Sequence, residues 1–299
     1  MNGSPNNENA FNPNSGAAYV FARSGTNWSQ QAYLKASNPD ADDLFGASVA
    51  VDGDTVVVGA LGESSKARRI NGDQTDNSAR NAGAAYVFTR NGTNWSQQAY
   101  LKAFNAEAGD GFGYPVGISG DTIVAAAQSE SSDGTSTRNN NAWWAGAAYV
   151  FARSGTNWIQ HAYLKASNPG GGVPGVSSGD LFGAAVAVSG DTVVVGAHYE
   201  DSDAKGINGD QSNNDAENSG AAYVFAGLGL GVFPDGLGGY AVRSKQTPGT
   251  PFQLFRAPEV TSPWNPIATN AASGLGILGF YDTNGPPARA FYRLVPVGQ

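Results

Sequence analysis

The chain has 299 residues, a formal net charge of −8, 41 glycines and no cysteine, and only 14% of its residues are charged. The acidic balance argues against a nucleic-acid backbone as partner, because that requires clustered Lys and Arg. Without Cys there are no disulfides, thiolate metal sites or cysteine nucleophiles, and two His leave little material for a zinc site or a Ser-His-Asp triad. No apolar run approaches the roughly 18 residues of a membrane helix.

The first residues, MNGSPNNENAFNPNSG, are polar and carry no basic segment followed by an apolar one, so they do not read as a signal peptide. They read as the tail of a loop that recurs before Gly83 and Gly220, so the chain is expected to begin inside a repeat. GAAYVF then starts at Gly16, Gly83, Gly146 and Gly220, a period of roughly 60–75 residues. Each AYVF is followed by a turn on Gly25, Gly92 or Gly155 and, after it, AYLKA. Both segments alternate in character and predict a hairpin. Next come FGASVAVDGDTVVVGA at Phe45 to Ala60, FGYPVGISGDTIVAAA at Phe112 to Ala127 and FGAAVAVSGDTVVVGA at Phe182 to Ala197. Val and Ile fit a pleated, half-buried surface, and the central Gly-Asp supplies the backbone of a tight turn. One period therefore holds four short antiparallel strands, the content of a propeller blade.

Phe45-Gly46 with Gly59-Ala60, and their counterparts in the later copies, resemble the FG-GAP repeat, in a version similar to its bacterial subgroup. That family builds the β-propeller of integrin alpha subunits and of many bacterial surface proteins. The resemblance covers roughly residues 10 to 226 and implies blades at 45–103 and 112–166, a three-stranded blade at 182–226 and an orphan strand pair at 16–36. The expected fold is all-β: a propeller-type array of about three to four blades, with a small C-terminal β segment. It is expected to be incomplete, with its apolar ends covered by the C-terminal segment or by another chain. The expected domains are the blades at 1–226, a Gly-rich joint at 227–239 and a β module at 240–299, whose short strands resemble small fibronectin-type-III-like sandwiches. Trp264, Phe280, Phe291 and Tyr292 are read as core of that module.

A residue repeated at one place in every unit is most simply architectural. Trp28, Trp95 and Trp158 are expected at blade edges, and Lys35, Lys102 and Lys165 are expected to guard outer strands against edge pairing. Asp43, Asp110 and Asp180 before the FG phenylalanine, and Asp54, Asp121 and Asp191 in the hairpin turns, are expected to hydrogen-bond local backbone. The long polar loops 61–82, 128–145 and 198–219 each carry Glu at their third position, and the first and third share INGDQ. Glu63, Asp73, Asp76, Glu200, Asp210 and Asp215 form a candidate Ca²⁺ set, since Ca²⁺ takes six to eight hard oxygen ligands. The alternative is an acidic loop ordered by Asn and Asp side-chain turns. In integrin-type repeats the calcium loop joins the two strands of the FG hairpin. Here that connection is only Asp52-Gly53-Asp54 or its equivalents, so none of the family's ligands carries over.

Unrepeated residues carry the functional expectations. Trp143 and Trp144 stand where the other loops are polar, as a sugar platform, a protein anchor or a plug for the core. His198 and Tyr199 follow the last VGA and join them as candidate ligand contacts. His161, which replaces Gln31 and Gln98 of the other units, is expected at the surface, as is His198. The leading expectation is a noncatalytic secreted or cell-surface module for adhesion or binding of protein or carbohydrate, with self-association through exposed blade ends. The alternatives are a carbohydrate-active hydrolase or lyase using loop carboxylates, and a purely structural spacer.

Overall fold

A computed structural model describes residues 13–137, 139–174 and 179–226, without the side chain of Ser154, and the backbone of the strands between 231 and 296. The readings of residues 1–12, and of the side chains of Trp264, Phe280, Phe291 and Tyr292, lie outside these residues. The strands are β1 Ala18–Ser24, β2 Asn27–Leu34, β3 Ser48–Asp52, β4 Thr55–Ala60, β5 Ala84–Asn91, β6 Asn94–Leu101, β7 Val116–Ser119 and β8 Thr122–Ala127. They continue with β9 Ala147–Ser154, β10 Asn157–Leu164, β11 Ala185–Ser189, β12 Thr192–Ala197 and β13 Ala221–Phe225. The last six are β14 Gly231–Pro234, β15 Tyr240–Lys245, β16 Pro251–Ala257, β17 Asn265–Ala271, β18 Ile277–Asp282 and β19 Phe291–Pro296. No helix occurs among the described residues, and none is therefore long and apolar enough to cross a membrane.

The chain divides into two units, Met1–Val150 with Leu164–Phe225, and Phe151–Tyr163 with Ala226–Gln299. The repeat sheets have the expected composition: a pair β1-β2, four strands β3-β4-β5-β6, four strands β7-β8-β9-β10, and three strands β11-β12-β13. After β13, β14-β15-β18 and β17-β16-β19 form two further sheets. The expected glycine-rich joint thus contains a strand, Gly231–Pro234, paired antiparallel with Tyr240–Arg243.

Local chemistry explains the hairpins. Asp52 pairs with Thr55 across a two-residue turn whose first position is Gly53 at φ 54°. Gly120, Gly190, Gly25, Gly92 and Gly155 repeat this at φ 55–64°, the left-handed region where glycine meets no Cβ penalty. The register is equivalent in every copy: Val49 faces Val58, Val116 faces Ala125 and Val186 faces Val195.

The FG motif joins each hairpin to its own sheet and to the sheet before it. Gly46 N–H donates to Gly59 O at 3.0 Å, and Gly183 N–H to Gly196 O at 3.0 Å. Phe45 N–H donates to Ser15 O, Phe112 N–H to Ala82 O and Phe182 N–H to Ala145 O, at 2.9–3.1 Å. Each acceptor precedes the glycine of the previous GAAYVF. The rings of Phe45, Phe112 and Phe182 then lie edge-on against Tyr86, Tyr149 and Tyr223, 5.3–5.4 Å between centroids. All three phenylalanines are buried, each worth about 1.5–3 kcal/mol from apolar burial.

Burial follows position in the array. Every residue of β4 is buried, and all but the first of β8, whereas β12 alternates between buried and half-buried. At the end sheets single faces stay open: Tyr19 and Phe21 of β1 are about half exposed and Val224 of β13 is 67% exposed. The repeated tryptophans report the same gradient, with Trp95 at 7% exposure and Trp28 at 67%. Trp95 donates Nε1–H to Gln31 Oε1 at 2.9 Å and lies under the Arg90 guanidinium at 5.6 Å.

Candidate functional site

The repeated lysines are not edge guards. Lys102 is fully buried and donates to Glu63 Oε2 at 3.0 Å and to Gly83 O at 2.6 Å. Lys165 donates likewise to Glu130 Oε2 at 3.1 Å and Gly146 O at 2.6 Å. Their strands place them beneath the polar loop, whose third-position Glu turns inward rather than to solvent. Asn38, Asn105 and Asn168 donate to Glu63, Glu130 and Glu200, and accept from Tyr86, Tyr149 and Tyr223. Burial lowers the pKa of Lys102 and Lys165, and the facing glutamates oppose that shift. The recurrence of Asn38, Asn105 and Asn168 after each AYLKA was the signal in the sequence that could have revealed this network.

The aspartates two residues before the FG phenylalanine act as expected. Asp43, Asp110 and Asp180 accept from the backbone N–H of Asp40, Glu107 and Gly170, each at 2.8 Å. Asp54 departs from the expectation and is paired with Arg90. Burial raises Asp110 from 3.8 to about 8, the Glu107 N–H opposes this, and the Glu130 and Glu107 carboxylates add to it. The folded state thus holds a proton that the unfolded chain releases. The stabilisation this gives is complete below pH 3.8 and is lost as pH rises toward about 8. Asp110→Asn is therefore expected to leave the melting temperature at pH 4 unchanged and to raise stability at pH 9 by on the order of a few kcal/mol. Melts at the two pH values measure the difference.

The candidate Ca²⁺ residues lie in different places. Glu63 and Glu200 are buried in separate copies of the network. Asp73 accepts from the hydroxyl and N–H of Thr75, Asp76 from the N–H groups of Lys66 and Ser78, and Asp210 from the N–H and hydroxyl of Ser212. The Thr75 hydroxyl, the Lys66 N–H and the Ser212 hydroxyl, respectively, lead in lowering these three carboxyls' pKa values. Asp215 N–H donates to Asn213. Among the described residues, no three His, Cys, Asp or Glu side chains converge as a metal site.

Trp143 and Trp144 are half-buried and stacked, with centroids 5.5 Å apart and an interplanar angle of 16°. Trp144 has φ 55°, at a position filled in the other loops by Asn14, Asn81 and Asn218 at φ 55–59°. Asn adopts this conformation readily, whereas for Trp it carries a steric cost. The segment beside the pair is also unrepeated. SNP is followed by DADDLFG at Asp40 but by GGGVPGVSSGDLFG at Gly170. Gly172 N–H donates to Trp143 O at 2.8 Å and Leu181 N–H to Trp144 O at 3.1 Å. A methyl on Gly179 would overlap both tryptophan carbonyl oxygens, and one on Gly171 would collide with Ala142. Glycine is what lets the inserted segment lie against the pair.

His198 and Tyr199 are exposed and in ring contact at 4.1 Å. Tyr199 N–H donates to Asp180 O, the residue before the Leu181 that bonds Trp144, so one dipeptide links the two candidate pairs. His198 lines an open cavity of about 760 Å³ with Tyr114, Gln128 and Gly220. His161, in contrast to the expectation, is buried at 5% exposure.

No curated protein matches the chain. The FG-GAP repeat family matches at residues 28–88, 95–151 and 174–225, more than half of the sequence and each of the sheets built around an FG hairpin. That match, the FG-to-GA hydrogen bonds and the four-stranded sheets agree: this chain belongs to the FG-GAP repeat family, whose members form integrin-like β-propeller modules that are generally not enzymes.

Proposed function

We propose that the chain is a noncatalytic, extracellular binding module, and that the stacked Trp143–Trp144 pair with the adjoining Gly170–Gly172 segment is its contact for a protein or carbohydrate ligand. One observation carries this reading: a tryptophan occupies the left-handed backbone position that asparagine holds in the other three repeats. A side chain kept against its backbone preference, beside an insertion found in no other repeat, points to selection for what it presents rather than for stability. Flat, rigid aromatic surface is what sugar rings and protein hot spots pack on. Repeats of this family are typical of extracellular proteins, which supports a secreted or cell-surface setting.

Trp144→Asn gives a direct test, because it restores the residue of the other repeats. It is expected to leave the melting temperature unchanged or raised while weakening binding at least about tenfold. Wild type and variant are compared on glycan and matrix-protein arrays. Equal binding by the two, or no ligand for the wild type on either array, overturns the reading.

A further inference from the structure

We propose that the outer edge of β13 is a strand-acceptor groove, which takes an extended segment of another polypeptide carrying a Tyr-x-Lys triplet. This surface is separate from the Trp143–Trp144 pair. The first full sheet shows what such a segment does. There β6 lies along β5, with Tyr100 opposite Tyr86. Asn71 of INGDQ clasps it: Asn71 N–H donates to Tyr100 O at 2.8 Å, and Tyr100 N–H to Asn71 Oδ1 at 2.9 Å. Two residues on, Lys102 reaches Glu63 and Gly83 O.

In the third sheet every one of these receptors is present and the strand is not. β13 pairs with β12 along one edge, and no strand lies along the other among the described residues. INGDQ recurs, and Asn208 has φ 56° against 53° for Asn71, yet Asn208 makes no hydrogen bond among the described residues. Ile207 beside it is 91% exposed, whereas Ile70 is half-buried. Glu200 is buried at 2% exposure and bonded to Asn168 and Ser202, and no lysine among the described residues pairs with it. Among the described residues no lysine donates to Gly220 O, whereas Gly83 O and Gly146 O each accept from one. Lys165, Glu200, Asn208, Gly220, Tyr223 and Phe225 line a groove of about 820 Å³, and Lys165 is already engaged by Glu130 and Gly146 O.

The chain does not supply the missing strand by continuing its repeat. At the spacing of Gly83 to Lys102, the residue after Gly220 is Gly239, and the single lysine beyond β13 is Lys245. Lys245 belongs to β15, which is already paired on both edges by β14 and β18. A buried carboxylate with no ion pair among the described residues, beside an open strand edge and a preformed asparagine clasp, selects an extended, lysine-bearing partner. Main-chain hydrogen bonds would give the affinity and the lysine the specificity.

The test uses the full chain and a labelled peptide of sequence Asn94 to Ala103, NWSQQAYLKA, followed by fluorescence anisotropy. Saturable binding is expected, weakened about tenfold or more by Lys→Met in the peptide. Glu200→Gln in the chain is expected to do the same, and Asn208→Ala, at an exposed site, to weaken it severalfold. Melts confirm that both variants fold. No saturable binding, or equal binding of the Lys and Met peptides, overturns the proposal, and neither result bears on the Trp144→Asn test. If the chain alone forms a dimer that the peptide dissociates, a second copy is the occupant and the groove is supported.

Discussion

Lys102→Met is expected to lower the unfolding free energy by about 3–5 kcal/mol, because it leaves the Glu63 carboxylate buried without its cation. Both side chains are at 0% exposure, so neither water nor salt screens the pair. Gly83 O loses a donor in the same step. The double variant Glu63→Gln/Lys102→Met removes the charge as well and is expected to recover most of the loss, since a neutral amide costs far less to bury than an unpaired ion. Lys35→Met is the natural comparison. Lys35 is half-buried and bonds Ser15 Oγ at 2.8 Å and Gly16 O, and its loss is expected to cost about 1 kcal/mol. Urea denaturation of the four proteins gives the values. A Lys102→Met midpoint equal to that of Lys35→Met would falsify the account of the buried pair.

The second large effect is expected where one sheet meets the next. Gly83 has φ 82°, and a methyl on it would overlap the carbonyl oxygen of Phe112 in the following FG motif. Gly83→Ala therefore combines left-handed strain with a backbone collision and is expected to cost about 3–5 kcal/mol. Gly220 has φ 77° but no following FG motif, and its nearest neighbour would be His198 O at 3.4 Å. Gly220→Ala carries the strain alone and is expected to cost about 1–2 kcal/mol. The difference between the two variants isolates the contact between successive sheets. Equal losses would mean that the glycines serve only their own backbone conformation.

The strands and turns were legible because their causes are local. Alternating Val and Ile on either side of Gly53-Asp54 specify a hairpin wherever they occur, and three copies at a regular spacing specify three equivalent sheets. The same reasoning singled out Trp143 and Trp144 as candidates, because an unrepeated pair stands out against a repeated frame. It misassigned Lys102 and Lys165. A lysine in AYLKA looks like an exposed end, and only the polar loop folding back, with Glu63 or Glu130 turned inward, makes the position a buried one. His161 was misread for a related reason, since nothing local marks which face of its strand is covered.

The order of strands in each repeat, their register and the glycines at the turns were therefore determined by the sequence alone, through steric limits on the backbone and the two-residue alternation of a strand. Tertiary structure decided which chemically identical residues differ. Trp28 and Trp95 share one sequence context but only Trp95 is covered by a neighbouring sheet, and Glu63 and Glu200 share one but, among the described residues, only Glu63 meets a lysine. Burial and ion pairing depend on what lies on the far side of a sheet, which the sheet's own sequence does not specify.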